Sequence, residues 1–298
     1  YNKDELMFVF AILSNPDIPL ELTEDRYNQA TRREYPYVRT GNDGRPRRFA
    51  LCPECKNPVQ LINRSVNSTE SSTLYAKHIK ITLSDLAEYN QEAYDDCQYA
   101  NPHSLDDKRR RKPGLKTSKI KNIYSKYIDL IVSYSESMTG IKFSDSVLEK
   151  MISEFCKSRG YEYRAVSEYN LPLSFLYMTE AKSLYGCGVD NYIAESINKS
   201  SVGFEAKAFK GGKRFYIKRK IPFSGYELKF FFSGHTIPRG EQERSEYAWL
   251  YIVEVMDGIL PEQSPVLLKR KITFNTSRFF NDINRRERLH KIIKLNLE

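Results

Sequence analysis

Cys52, Cys55, His78 and Cys97 stand out for the chemistry their types and spacing allow. In Cys52-Pro53-Glu54-Cys55 the thiols sit two residues apart, the spacing at which a tight turn places two sulfurs on adjacent corners of a tetrahedron. His78 follows after 22 intervening residues and Cys97 after a further 18. Together they form a Cys3His set with no open position, which implies a structural zinc ion rather than a catalytic one. His103 is the alternative for the fourth corner. Lys56 and Asn57 follow the pair, where turn amides and a cation can offset thiolate charge. The competing explanation of the pair is a redox Cys-x-x-Cys, which belongs at a helix N-terminus. Pro58-Val59-Gln60-Leu61 reads as a strand instead. Five cysteines, an odd number, do not suggest a disulfide framework. Cys156 reads as plain core on an apolar helix face, and Cys187, between two glycines, has no evident partner.

Cys52-Pro53-Glu54-Cys55, then Pro58-Val59, then Tyr75-Ala76-Lys77-His78 resembles the zinc-ribbon-like module of competence protein CoiA-like families, over about 50 residues. Those families carry a Cys-Pro-x-Cys turn followed by a His-Phe-x-His motif. The module often stands beside a nuclease domain in proteins of DNA uptake, mobile elements and phage conflict. Tyr75 occupies the place of the motif's first histidine, so the resemblance implies one histidine ligand plus a later cysteine. It also makes one enzyme-like pattern worth weighing. Asp190 followed by Glu205-Ala206-Lys207 imitates the Asp…Glu-x-Lys arrangement of PD-(D/E)xK nucleases, in which two carboxylates hold Mg2+ and a lysine steadies the attacking water. The same residues also read as a helix N-cap at Asp190 and a solvated hairpin face at Glu205 and Lys207. His235 and His290 are isolated and read as surface residues. No Ser/His/Asp order, phosphate-binding glycine loop or His-Glu-x-x-His motif stands out, and the reading leans against enzymatic activity.

The elements that must position these residues are of two kinds. Met7 to Leu13 reads as a strand, Glu24 to Glu34 as a polar helix capped by Thr23, and Asn42-Asp43-Gly44 as a turn before a strand at Arg48 to Leu51. From Ile120 to Met138 apolar residues recur at helical spacing until Gly140. A second helix opens on a Ser146–Glu149 capping box and runs to Gly160, and a third, less regular one spans about Leu173 to Leu184. Beyond Val202 the period becomes two. Strands are expected over Val202–Phe209, Arg214–Ile221, Glu227–Phe232, Tyr247–Met256 and Val266–Phe274, with Gly211-Gly212 as a hairpin turn. Tyr247–Met256, apolar on both faces except at Glu254, reads as the central strand, with Arg214–Ile221 beside it. A basic helix, Asp282 to Lys294, closes the chain. The fold class is therefore α+β: a zinc-binding module over 1–107, a basic linker and helical segment over 108–200, and an antiparallel sheet with a terminal helix over 201–298.

Charge sets the expected partners. The chain carries +9, and the charge is segregated: seven acidic and no basic residues between Ile81 and Asp107, then nine basic and no acidic residues from Lys108 to Lys126. Anionic partners follow from this, with Arg109, Arg110, Arg111, Lys112, Arg214, Lys218, Lys220, Arg285 and Arg286 as candidate contacts. No apolar stretch approaches a membrane span and no signal peptide is expected, so a cytoplasmic, membrane-free protein is the default. Three functions fit. The first is a non-catalytic, zinc-stabilised protein that engages nucleic acid or a nucleic-acid-processing complex. The second is a phage-encoded inhibitor of a bacterial defence complex, in keeping with the Lys-, Asn-, Ile- and Tyr-rich composition of an AT-rich genome. The third is the Mg-dependent nuclease. Charge polarity also suits self-assembly into a homo-oligomer.

Overall fold

The structure is a computed structural model that describes residues 7–65, 72–209, 211–212, 214–220, 222, 225–237, 246–274 and 276–297. The expected strand end at Ile221 lies outside them. Helices and antiparallel sheets make up the chain, which divides into two compact units between His103 and Ser104.

In the first unit the sheet order is 15–21, 9–12, 46–51, 58–65, 72–78, with 38–40 paired on 46–51. Met7 and Ala76 exchange backbone hydrogen bonds, bringing the last strand back beside the start of the first. The turn at 42–44 joins 38–40 to 46–51 as expected, with Gly44 in the left-handed region. Thr23 caps the helix Glu24–Thr31 by accepting from the Arg26 amide at 3.2 Å. That helix inserts Tyr27 into the curled sheet, where it is fully buried beneath Phe10. Its hydroxyl donates to the carbonyls of Tyr37 (3.0 Å) and Phe49 (2.9 Å), and burial pushes its pKa up to about 12.

The second unit packs helices against two separate four-stranded sheets. One has the order 204–208, 215–219, 188–189, 141–142, the other 266–273, 247–256, 226–236, 182–183. Tyr247–Met256 is central, as its apolar pattern implies, but its neighbours are 226–236 and 266–273. Arg214–Ile221, expected beside it, instead contributes Phe215–Arg219 to the other sheet. Glu254 is tolerated in the central strand because its carboxylate accepts from Ser201 Oγ (2.7 Å) and from the amides of Gly203 (2.7 Å) and Val202 (2.9 Å). A Cβ at Gly203 would press on the same carboxylate at 3.2 Å and on Tyr226 Cβ at 3.1 Å.

The apolar period over 120–138 belongs to two helices, Leu115–Lys126 and Ile128–Thr139, interrupted where Tyr127 leaves helical geometry; Gly140 ends the second in the left-handed region. The next helix, Asp145–Lys157, starts from Ser144 rather than from the expected capping box at Ser146. Leu171–Tyr177 is the third, shorter than the expected 173–184 because Lys182–Ser183 joins a sheet edge. Asp190 caps Asn191–Ser200, and Thr276–Leu297 is the final helix. Side chains from Leu105 through Ile283 share one core, so the segments expected as 108–200 and 201–298 bury their apolar faces together. Among the described residues no helix is long and apolar enough to cross a membrane.

Candidate metal centre

The strand Pro46–Leu51 ends directly at Cys52, and the residues up to Asn57 turn the chain into the strand Pro58–Ser65. This turn is a closed knuckle. The Cys52 amide donates to the Asn57 carbonyl (2.9 Å), the Lys56 amide to the Cys52 carbonyl (3.0 Å), and Lys56 takes φ +63°. His78 is the last residue of the strand Ser72–His78 and lies opposite Val59, the second residue after the knuckle. Strand pairing thus brings a residue 23 positions beyond Cys55 back to its side, with the Cys55 Sγ–His78 Nε2 distance at 3.4 Å. Cys97 arrives just after the short helix Gln91–Asp95, with its Sγ 3.6 Å from Cys52 Sγ and 3.8 Å from His78 Nε2.

The four ligand atoms lie within 4.8 Å of one another, and theirs is the one group of three or more His, Cys, Asp or Glu ligands among the described residues. His103, the alternative fourth ligand, is not part of it. The three thiols are not alike. Burial holds the Cys52 and Cys97 thiols well above their ordinary value, while hydrogen bonds from those two thiols draw Cys55 down. A cation bound among these sulfurs would displace the protons that burial otherwise keeps on Cys52 and Cys97.

Two residues of the knuckle act on the second half of the site. Buried Asn57 donates from Nδ2 to the Asn90 carbonyl (2.9 Å) and accepts from the Asn90 amide (2.6 Å), fixing the start of the helix that leads to Cys97. Glu54 Oε2 accepts from the amide of Gln98, the residue after Cys97, at 2.7 Å. Sequence reasoning missed both roles. The carboxamide at Asn57 was a signal, because a buried amide at a knuckle end needs partners and only backbone nearby can supply several. Lys56, expected to offset thiolate charge, instead donates to the carbonyls of Pro16 (2.8 Å) and Pro53 and pairs with Asp17 at 2.8 Å. Its ammonium braces the loop instead.

The other expected residues each have partners in the fold. Asp190 Oδ1 caps its helix through the Ile193 amide (2.9 Å), and its Oδ2 pairs with Arg270 (2.7 Å). Glu205 pairs with Lys207 at 3.0 Å on the hairpin 204–219. Asp190 is thus engaged by a helix end and an arginine, and Glu205 and Lys207 by each other.

The basic candidates divide sharply. Arg109 pairs with Asp107 and Arg110 with Glu162. Arg111, expected at a binding surface, is buried, its guanidinium donating to the carbonyls of Tyr161 (3.2 Å), Arg164 (3.0 Å) and Val166 (2.8 Å). Lys112, Arg214, Lys218 and Arg285 are exposed. Lys220 donates to the Ser201 carbonyl and Arg286 pairs with Asp129.

Two single residues also depart from expectation. His235 is buried rather than on the surface: Nδ1 accepts from the Leu105 amide (3.0 Å) and Nε2 faces Glu246 Oε1 (2.8 Å). Cys156 is exposed rather than core, because the buried face of its helix is Val147, Met151 and Phe155. Cys187 is buried as a plain thiol, raised by desolvation. No protein-family model, curated protein or solved structure matches the chain.

Proposed function

We propose that the chain is a zinc-stapled, non-catalytic recognition protein whose partner is nucleic acid. The observation that carries this reading is the closed donor set of Cys52, Cys55, His78 and Cys97. A tetrahedral zinc with Zn–S of about 2.3 Å and Zn–N of about 2.0–2.1 Å has S···S edges of about 3.8 Å and S···N edges of about 3.5 Å. Three of the six donor–donor distances, 3.6, 3.4 and 3.8 Å, lie close to those edges, and all four donor atoms lie within 4.8 Å of one another. Zinc suits three thiolates and one imidazole because it imposes no other geometry and carries no redox chemistry. Four protein donors leave no position for a substrate or an activated water, so the ion joins the knuckle, the strand end and the Cys97 loop and does nothing else. The nuclease reading is the less favoured one, because Asp190 is engaged by a helix end and an arginine and Glu205 by Lys207.

The nucleic-acid partner rests on the +9 charge and on exposed cations at Lys112, Arg214, Lys218 and Arg285. Fluorescence anisotropy of a labelled oligonucleotide against salt tests it. The expected result is binding at low salt that weakens with a log-log slope of roughly 0.7–0.9 per phosphate contacted. Absence of binding to DNA and RNA of any strandedness at low salt would overturn the reading. Mg2+-dependent cleavage abolished by Glu205→Gln with Asp190→Asn would restore the enzyme.

A further inference from the structure

On one side of the sheet 266–273, 247–256, 226–236, aromatic rings alternate with lysines. The register sets Phe231, Tyr251 and Lys269 in one row across three strands, and Ser233, Trp249 and Lys271 in the next. Phe231 and Tyr251 stack with centroids 5.1 Å apart and planes only 6° apart, and Trp249 meets Tyr247 edge-on at 6.2 Å. Lys269 Nζ stands 4.5 Å from the Trp249 ring and 5.4 Å from that of Tyr251, and Lys271 Nζ 3.7 Å from that of Tyr247. The intervening residues Phe230, Leu250, Ile252 and Leu268 fill the core, so strand alternation leaves the four rings half-buried and the two lysines exposed. Gly234, at φ +65°, leaves room for the indole: a Cβ there would press on Trp249 Cδ1 at 3.1 Å.

The solvated side of an antiparallel sheet is ordinarily polar. Four rings there, with cations over three of them, form a surface suited to flat π-systems joined by negative charges. We infer that this face binds single-stranded nucleic acid. Bases stack on the Phe231–Tyr251 pair, Trp249 and Tyr247, and phosphates draw Lys269 and Lys271 off the rings. The inference rests on the nucleic-acid reading above and adds to it a location and a strandedness. A duplex fits poorly because its base faces are already stacked on one another.

Trp249 is the only tryptophan in the chain, so its emission reports on this face alone. The full chain is titrated at low salt with oligo-dT and with a duplex of equal length, following tryptophan emission and, in parallel, anisotropy of a labelled oligonucleotide. Oligo-dT is expected to quench Trp249 with the same midpoint as the anisotropy change, and the duplex to bind more weakly. Phe231→Leu with Tyr251→Leu, which keeps apolar bulk, is expected to weaken oligo-dT binding about tenfold or more. Lys269→Gln, at an exposed position that does not endanger the fold, is expected to lower the salt slope by about 0.7. Oligonucleotide binding without quenching, or binding undiminished in both variants, overturns this face while leaving the nucleic-acid function standing. Equal quenching by the duplex overturns the single-strand preference. If no oligonucleotide binds at all, both fail together.

Discussion

Among the described residues the first unit's main core gathers 11 buried apolar side chains, two of them Cys52 and Cys97 of the Cys/His cluster, while the second unit's gathers 38. The smaller core is the one that ends on a ligand set. On the zinc reading proposed above, coordination would add to this smaller core by tying a knuckle, a strand end and a loop together. The larger unit uses buried hydrogen-bonded charges instead. Glu254 gathers Ser201 to Gly203, and Arg111 gathers Tyr161, Arg164 and Val166. The first unit ends on a clustered Cys/His donor set that coordination would close, while the second is held by apolar packing with satisfied polar anchors.

The sharpest way to break this comparison is to remove a ligand. Cys52→Ser, or a strong chelator, is expected to remove folding energy on the order of 10 kcal/mol from the first unit. Hydrogen exchange by mass spectrometry should show 46–51, 58–65 and 72–78 losing protection while 247–256 keeps it. Loss in both units alike would contradict the division. Glu254→Ala is the reverse experiment, expected to destabilise the second unit by about 3 kcal/mol through three orphaned donors, with metal content unchanged. Denaturant titration read at Trp249 measures it.

Arg109 and Arg111 sharpen the contrast within a single basic run. Arg111→Met, which leaves three carbonyls without their donor, is expected to lower stability by about 2 kcal/mol. Arg109→Ala should change the melting temperature far less, because the Arg109 side chain is exposed where it meets Asp107. A fourth, smaller effect concerns pH. Burial alone would raise the Glu168 carboxyl, but Lys119 and Lys116 outweigh it and hold the group below its ordinary value of 4.5. A carboxyl depressed in the folded state contributes stability above its unfolded pKa and loses it as pH falls through the folded one. The stability difference between wild type and Glu168→Gln should therefore be constant near neutrality and shrink below about pH 4.5. A difference that grew on acidification would contradict the ion pair with Lys119.

The clustering of Cys52, Cys55, His78 and Cys97 was legible because cysteine and histidine are scarce and their spacing restricts what they can do. Four such residues within 46 positions, with a strand after the first pair, left few arrangements to consider. The long strands of the second unit were legible from their period, and Gly140 and Thr23 from their capping chemistry. The assignment of strands to two sheets was not. It depends on Ile141–Lys142, Lys182–Ser183 and Gly188–Val189, whose two residues apiece carry no period. Buried Arg111 and His235 were also hidden, since each satisfies backbone groups far along the chain that local sequence does not mark. Cys156 shows the converse: its helix turns Met151 and Phe155 inward, and a neighbouring thiol follows the surface.

The central claim, a single structural zinc held by Cys52, Cys55, His78 and Cys97, is tested most directly by native mass spectrometry of the full chain beside its His78→Ala and Cys156→Ser variants. One zinc per chain is expected in the wild type and in Cys156→Ser, with the ion lost or readily stripped in His78→Ala. A zinc-free wild type from metal-replete preparation, or a full complement retained without His78, would contradict it.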